Sequence, residues 1–284
     1  MAAVGIELRP LRPTDRQRVE EMVADVWEGN DYLPLVFDEW ISDPAAAFSG
    51  AELDGVLVGV QRLRPLGGGV LWYEGLRVAS THRRLGVARE MLRAAIDEAR
   101  HNGASEIRLA TANPHAIALF TSEGFQLRVR AVRWEAFRLE GDDPPRIPSP
   151  PEAEAMAEWV RQDPAFAAVG GVAADFDGAW TPTAATLAAH AEAGLLRVGP
   201  GGRALAAVRG GRFRWHHLPV TFLAGSGGSL DDLLLRLRFE ADAEDLDGVI
   251  VWVPEDHPAA GQLAAGGYDF GREPGQISIY ALDL

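Results

Sequence analysis

The sequence predicts an α/β (α+β) chain with a mixed central sheet and helices on both faces, followed by a second region of similar build. Three observations predict it. Apolar β-branched runs and amphipathic helical patterns follow one another as strand, two helices, three strands, helix, strand, helix, strands. The strand Val70 to Val78 leads through a short polar loop, Arg83-Arg84-Leu85-Gly86-Val87-Ala88, straight into a helix. A proline-rich stretch then divides the chain, giving a first domain over 1–143, a linker over 144–151 and a second domain over 152–284.

The first elements follow from local pattern. Ile6-Glu7-Leu8-Arg9 alternates as a strand, and Thr14-Asp15-Arg16-Gln17 reads as a capping-box start for a helix with Val19, Met22, Val23 and Val26 on one face, ending near Trp27. Phe37, Trp40 and Ile41 mark a second short helix that Asp43-Pro44 stops. Ala51-Glu52-Leu53, Asp54-Gly55 and Val56 to Val60 are a strand, tight turn and strand. Next come the Val70 strand, a helix over 87–100, a strand over 107–110, and a helix that begins after Asn113.

Beyond the linker the pattern gives helices near Glu152 to Gln162, Thr183 to Ala193 and Leu230 to Ala243. Strands are expected near Leu195 to Val198, Ala204 to Val208, Phe213 to Leu218 and Ile250 to Val253. A faint repeat joins the halves, since Asn113, Gly124 and Phe125 recur as Asp256, Gly267 and Tyr268.

Composition excludes several functions. Of 284 residues, 41 are acidic and 27 basic, all of them arginine, and the net charge of -14 argues against nucleic acid and anionic membrane as partners. No cysteine is present, so there is no disulfide, thiolate nucleophile or cysteine metal site. No signal peptide or membrane-spanning run is evident, and a cytoplasmic protein is expected.

The stretch from Arg83 to Ala88 carries the chemistry. A glycine where a strand turns into a helix exposes successive backbone N–H groups at the positive end of the helix dipole, which is how a pyrophosphate is held. Gly86 permits close approach and Ala88 keeps the first turn thin.

With Asn113-Pro114-His115-Ala116 and Gly124-Phe125 downstream, residues 5–140 resemble the GNAT superfamily of N-acetyltransferases. The resemblance implies the GNAT fold, acetyl-CoA as co-substrate, no metal, and transfer to a primary amine through a tetrahedral intermediate. It implies that Leu76 and Val78 offer backbone to the pantetheine amides and that Arg83, Arg84, Leu85, Gly86, Val87 and Ala88 form the pyrophosphate cradle. Asn113 would touch the pantetheine arm or cap its helix. Glu74 is the implied general base, its alternative being a carboxylate paired with an arginine such as Arg77. Phe120 stands among the coenzyme contacts where many members have a tyrosine acid, with water or Tyr73 as substitutes.

Trp27-Glu28-Gly29-Asn30-Asp31-Tyr32-Leu33-Pro34 and Glu74 to Ala79 are further similar to segments of the histidine N-acetyltransferase subfamily. That similarity implies a small-molecule amine acceptor, best matched by the α-amine of a free amino acid, with Glu28, Asp31 and Tyr32 lining its pocket and Arg77 facing a carboxylate. Trp27, Tyr32 and Trp40 are equally packing candidates. A protein N-terminal or lysine acetyltransferase and a non-catalytic acetyl-CoA sensor are the other readings. The second domain resembles a degenerate GNAT domain, because at the repeat offset the cradle falls on Ser226, Ser229 and Asp231, whose acidic first turn suits a bare helix dipole; the alternative is an unrelated α+β domain. Nothing in the sequence separates a monomer from a homodimer.

Overall fold

Strand β4 (Val70–Val78) organises the first half of the protein, a computed structural model that describes residues 5–175, 178–209, 216–270 and 276–284. Before it come β1 (Ile6–Pro10), α1 (Arg16–Val23), α2 (Leu33–Ser42), β2 (Ala47–Leu53) and β3 (Val56–Gly67); after it come α3 (Val87–His101), β5 (Glu106–Ala110) and α4 (Pro114–Ser122). The strands lie in the order β1-β2-β3-β4-β5, with antiparallel neighbours up to β4 and a parallel β4–β5 pair.

Alternation along the strands serves two cores. Leu57 and Val60 of β3 join Val19, Met22, Phe37 and Trp40 from α1 and α2, whereas Val58 joins Val87 and Met91 of α3. Helices therefore cover both faces.

Some local expectations shift. No Thr14 cap forms. Instead Asp15 accepts the Arg12 N–H at 2.7 Å and pairs with Arg9, so a 3-10 turn precedes α1. Helix α1 ends at Val23, short of Trp27, because Val26–Gly29 is a separate 3-10 turn with Trp27 (φ 47) and Glu28 (φ 58) in the left-handed region. The Asp54-Gly55 turn is as expected, both residues having positive φ (52 and 76).

Two compact units divide the chain, Met1–Leu109 with Asn113–Gln126 and Ala281–Leu284, and Ala110–Ala112 with Leu127–Tyr280. They do not coincide with 1–143 and 152–284. Strand β6 (Gln126–Phe137) goes with the second unit because it zips antiparallel to β12 (Gly248–Val253) from Phe137↔Gly248 to Val132↔Val253. Nor is 144–151 free linker throughout: the Val198 N–H donates to the Arg146 carbonyl at 2.9 Å, and Pro150 and Pro151 open a helix, where a missing N–H costs nothing.

The second unit contains α5 (Pro150–Gln162), α6 (Pro164–Ala168), β7 (Ala173–Asp175), β8 (Gly178–Trp180), α7 (Ala184–Glu192), β9 (Leu196–Val198), β10 (Ala204–Val208), β11 (His217–Gly225), α8 (Gly227–Ala243), α9 (Ala260–Ala265), β13 (Asp269–Phe270) and β14 (Gln276–Asp283). Its main sheet runs β14-β6-β12-β11-β10-β9. The strand expected over 213–218 begins at His217, and residues 213–215 lie outside the described residues.

Its topology repeats that of the first. Strands β9, β10 and β11 are antiparallel, and β11 returns through α8 to a parallel β12, as β2, β3 and β4 lead through α3 to β5. Gly124 (φ 98) and Gly267 (φ 79) both leave a helix in the left-handed conformation, and both are followed by a buried ring, Phe125 or Tyr268.

This unit also holds a buried imidazole. His257 accepts the Ala259 N–H at Nδ1, 3.2 Å away, and burial pushes its pKa down to about 4 against the opposing pull of Asp256 and the Leu223 backbone. A depressed folded-state pKa means stability present above the unfolded pKa, near 6.5, and lost as pH falls toward 4. The loss should be on the order of 3 kcal/mol. Urea denaturation at pH 7 and pH 4 is expected to show a smaller acid loss for His257→Gln than for the wild type, and an equal loss would remove His257 as the cause.

Among the described residues no helix is long and apolar enough to cross a membrane, and no group of three or more His, Cys, Asp or Glu could hold a metal ion.

Candidate active site

Between β4 and β5 the sheet opens. Their pairing runs from Val70↔Glu106 to Trp72↔Arg108 and then stops, while β4 stays paired to β3 as far as Val78↔Gly59. A bulge marks the change. Only Gln61 lies between the Val60↔Arg77 and Arg62↔Glu74 pairs on β3, whereas β4 spends two residues there, Gly75 and Leu76. Gly75 has φ +69 and touches Trp40, so that a Cβ would lie 2.7 Å from the indole.

Beside this opening is a cleft of about 1030 Å³. Leu76, Arg77 and Val78 form one wall, Arg83, Arg84, Gly86, Val87 and Ala88 a second, and Asn113, His115, Ala116 and Leu119 a third. Helix α3 starts at its floor with Gly86 (φ 90) as an N-cap lacking a side-chain cap. The Gly86 carbonyl accepts the Arg89 and Glu90 N–H groups, at 3.0 and 3.1 Å, as the helix begins. A Cβ on Gly86 would meet nothing within 4 Å, hence it would occupy the cleft itself. An uncapped helix start, a glycine with open space over it and arginines beside it fit a pyrophosphate. Of the residues expected in the cradle, Arg83, Arg84, Gly86, Val87 and Ala88 share this wall, whereas Leu85 is exposed and is not on it.

The remaining coenzyme candidates divide. Asn113 lines the cleft and also caps α4, its side-chain oxygen accepting the His115 N–H at 2.9 Å, so both expected roles are compatible. Phe120 is buried in the core, 5.9 Å from the Tyr73 ring and 5.6 Å from Phe125, and Leu119 meets the cleft in its place. Helical periodicity makes adjacent residues diverge in this way. Tyr73 is itself buried and donates to Gln61 at 2.7 Å, and burial pushes its phenol up.

Glu74 is not on the cleft wall. The β3–β4 register puts Arg62 opposite Glu74 and Arg64 opposite Trp72, so four alternate side chains meet on one face. Oε1 of Glu74 accepts from Arg62 at 2.5 Å and Arg64 at 2.9 Å, and Oε2 accepts from the Trp72 indole at 3.1 Å. Arg62 also pairs with Asp43 and lies 4.6 Å from the Trp40 ring. Burial pushes the Glu74 carboxyl up, against the pull of Arg64 and Arg62. Thus the carboxylate pairs with arginines, though not with Arg77.

Arg77 pairs instead with Asp31. Its Nε donates to Oδ2 at 2.6 Å, and the other Asp31 oxygen accepts the Leu33 N–H at 2.9 Å, fixing the start of α2. The guanidinium lies 4.8 Å from the Trp27 ring and 5.4 Å from Tyr32. Asp31, Tyr32 and Arg77 are thus brought together, while Glu28 is exposed, turned out by its left-handed backbone. Trp40 is a core residue and Trp27 is 56% exposed.

Sequence reasoning missed several wall residues, Asp25, His82, Arg89 and His115. Arg89 and His115 had a readable signal, each standing in the first turn of a helix whose start was already implicated.

Residues 14–125 match the family model described as Acetyltransferase (GNAT) family. No curated protein sequence matches the chain significantly. Among solved structures it is similar to a GCN5-related N-acetyltransferase from Sphaerobacter thermophilus, at 12% identity and TM-score 0.62 over 98% of this chain and 95% of that one. It is also similar to a GCN5-related N-acetyltransferase from Kribbella flavida, at 15% identity and TM-score 0.55 over 98% and 71%. A Pyrococcus horikoshii structure gives 15% and 0.61 over 100% and 91%. At such identities these likenesses concern the fold. Residues 14–125, the segment that builds the cleft, are thus similar to the GNAT acetyltransferase family, and the solved structures are similar to the chain in fold.

Proposed function

We propose that the protein acetylates the primary amine of a small molecule, best matched by the α-amine of a free, histidine-like amino acid, and that it does so in the cytoplasm. The observation that carries the reading is the uncapped, glycine-opened start of α3 in a cleft whose opposite wall is the unpaired side of β4. Acetyl-CoA supplies an activated acyl thioester, and the rest is the work of this chain.

Val87 and Ala88 N–H groups at the helix start, with Arg83 and Arg84, hold the phosphates. The side of β4 at Leu76 to Val78 that has left β5 pairs with the pantetheine arm and orients the carbonyl. Asn113 flanks that arm. The acceptor lies toward Asp31, Tyr32 and Arg77, with Glu28 at the outer rim. The second unit acts as a degenerate domain without coenzyme, and one feature supports this: Gln262 closes the start of α8, donating to the Gly227 carbonyl at 2.9 Å and to Asp231 at 2.5 Å while accepting the Gly227 N–H at 3.2 Å.

Glu74 draws the amine proton off through water. Its Oε2 accepts from the Trp72 indole, and an α-amine of pKa near 8 needs only about 1.4 kcal/mol to be neutral at pH 7. Glu74→Gln is expected to lower turnover about tenfold or more at pH 7, with most of the loss recovered by pH 9 as the amine deprotonates unaided. Acetyl-CoA affinity should be unchanged. A loss independent of pH, with a lower Tm, would assign Glu74 to structure alone.

A thiol-release assay with amino acids, amines and peptides tests the whole reading. Turnover on free amino acids supports it; turnover on peptides alone favours a protein acetyltransferase, and tight acetyl-CoA binding without turnover a sensor.

A further inference from the structure

Arg77 carries an unmade hydrogen bond at the acceptor end of the cleft. Its Nε is taken by Asp31 and its Nη1 donates to the Leu76 carbonyl at 3.0 Å, but Nη2 is buried with no hydrogen-bond partner. Such a donor is costly to leave bare, and more so on a guanidinium. Asp31 does not supply the missing acceptor: its Oδ2 takes Nε and its Oδ1 takes the Leu33 N–H.

Trp27 and Tyr32 flank the guanidinium, and the two rings lie 6.3 Å apart, nearly parallel. Trp27 is 56% exposed and lies on the cleft wall beside Arg77. Its backbone stands at φ 47, followed by Glu28 at φ 58 and Gly29 at φ 86. Two consecutive non-glycine residues in the left-handed region hold strain of roughly 1–3 kcal/mol each. Strain and an unmade hydrogen bond thus coincide at one point, on an exposed turn.

We propose that Arg77 determines acceptor specificity by binding a carboxylate on the acceptor through Nη2, and that Trp27 is a cover that turns off the guanidinium to admit it. The inference rests on the small-molecule reading above and names the group that would recognise the carboxylate of its amino-acid acceptor. A carboxylate is favoured over a neutral carbonyl because the charge-assisted bond is about twice as strong, and a planar fork suits it. With Asp31 buried on the other side, the bound arrangement is a ladder of carboxylate, guanidinium and carboxylate. The acceptor's amine is then left to point along β4 toward Leu76 and Val78.

The test compares histidine with histidine amide and histamine, and arginine with its amide and agmatine, by thiol release at saturating acetyl-CoA. Wild-type kcat/KM should favour the free acid at least 100-fold over the amide and the decarboxylated amine. In Arg77→Met combined with Asp31→Asn, which removes both buried charges and keeps an oxygen for the Leu33 N–H, that preference should fall to within a few-fold. The change should come from a raised KM for the acid rather than from its kcat. Arg77→Lys, which keeps the pair with Asp31 but not the fork, should lose at least tenfold of the preference and serves if the double variant does not fold. Trp27→Ala should leave the preference intact without raising KM for the acid; a tenfold rise would make Trp27 part of the binding wall and overturn its role as a cover. A wild type that takes amide or amine as well as acid, or an Arg77→Lys variant with undiminished preference, overturns the carboxylate assignment while the acetyltransfer to small amines stands. Turnover of neither series would instead overturn the small-molecule reading.

Discussion

Gly86→Glu is expected to raise the acetyl-CoA dissociation constant more than 100-fold while the protein stays folded. The position explains both halves of that result. At φ 90 a non-glycine residue is strained, yet a Cβ built there meets no protein atom within 4 Å, so folding loses only about 1–2 kcal/mol. The same open space is where a pyrophosphate would lie against the Val87 and Ala88 N–H groups. A glutamate would fill it and offer its own negative charge to the helix start, so that loss of a dianion site is compounded by repulsion. More than 100-fold corresponds to about 2.7 kcal/mol or more. Gly86→Ala, with the strain and no charge, should lose less affinity. Calorimetric titration with acetyl-CoA, alongside thermal denaturation, checks both variants. Wild-type affinity in Gly86→Glu would remove the cradle from this helix.

Gly75→Val should destabilise the first unit by about 3 kcal/mol or more. Two costs add here. The φ of +69 is unfavourable for a β-branched residue, and its Cβ would fall 2.7 Å from the Trp40 ring and 3.6 Å from Leu33, inside a packed core. Trp40 cannot retreat easily, because it is held edge-on to Tyr32 and Phe48, at 5.8 and 5.3 Å, and lies under Arg62. If the chain relieves the clash by straightening the bulge, Leu76 to Val78 shift register and acetyl-CoA affinity falls as well. Equilibrium denaturation measures the first effect and titration the second. A Gly75→Val protein as stable as the wild type would mean that the bulge is not set by this glycine.

How far the sequence reveals this arrangement depends on the range of the interactions. Strand β4, helix α3 and the glycine that joins them are legible because each is specified within about twenty residues: a strand, a polar loop, a glycine and a periodic helix. The surroundings of Glu74 and Arg77 are not. Which arginine meets Glu74 depends on the β3–β4 register and on the bulge at Gly75, and no local pattern announces that Arg62 and Arg64, rather than Arg77, fall opposite it. Asp31 and Arg77 are forty-six positions apart, and only the fold of α2 against the sheet makes them partners. Phe120 went astray for a smaller reason: one residue along α4 is a rotation of about 100°, enough to exchange the cleft for the core. The proline-rich stretch marked a change of composition, while the compact units follow the long β6–β12 ladder, which only tertiary pairing reveals.

Ala281–Leu284 belongs to the first unit, where the Leu284 N–H donates to the Ser105 carbonyl at 3.0 Å. The unit that contains the cleft is therefore stitched from the earliest and the latest residues of the sequence. During synthesis its completion must wait until the ribosome has delivered position 284, after every strand of the other unit has already emerged. Residues 1–109 and 113–126 are made long before that, so only four residues remain to be added to this unit once Tyr280 of the other is in place.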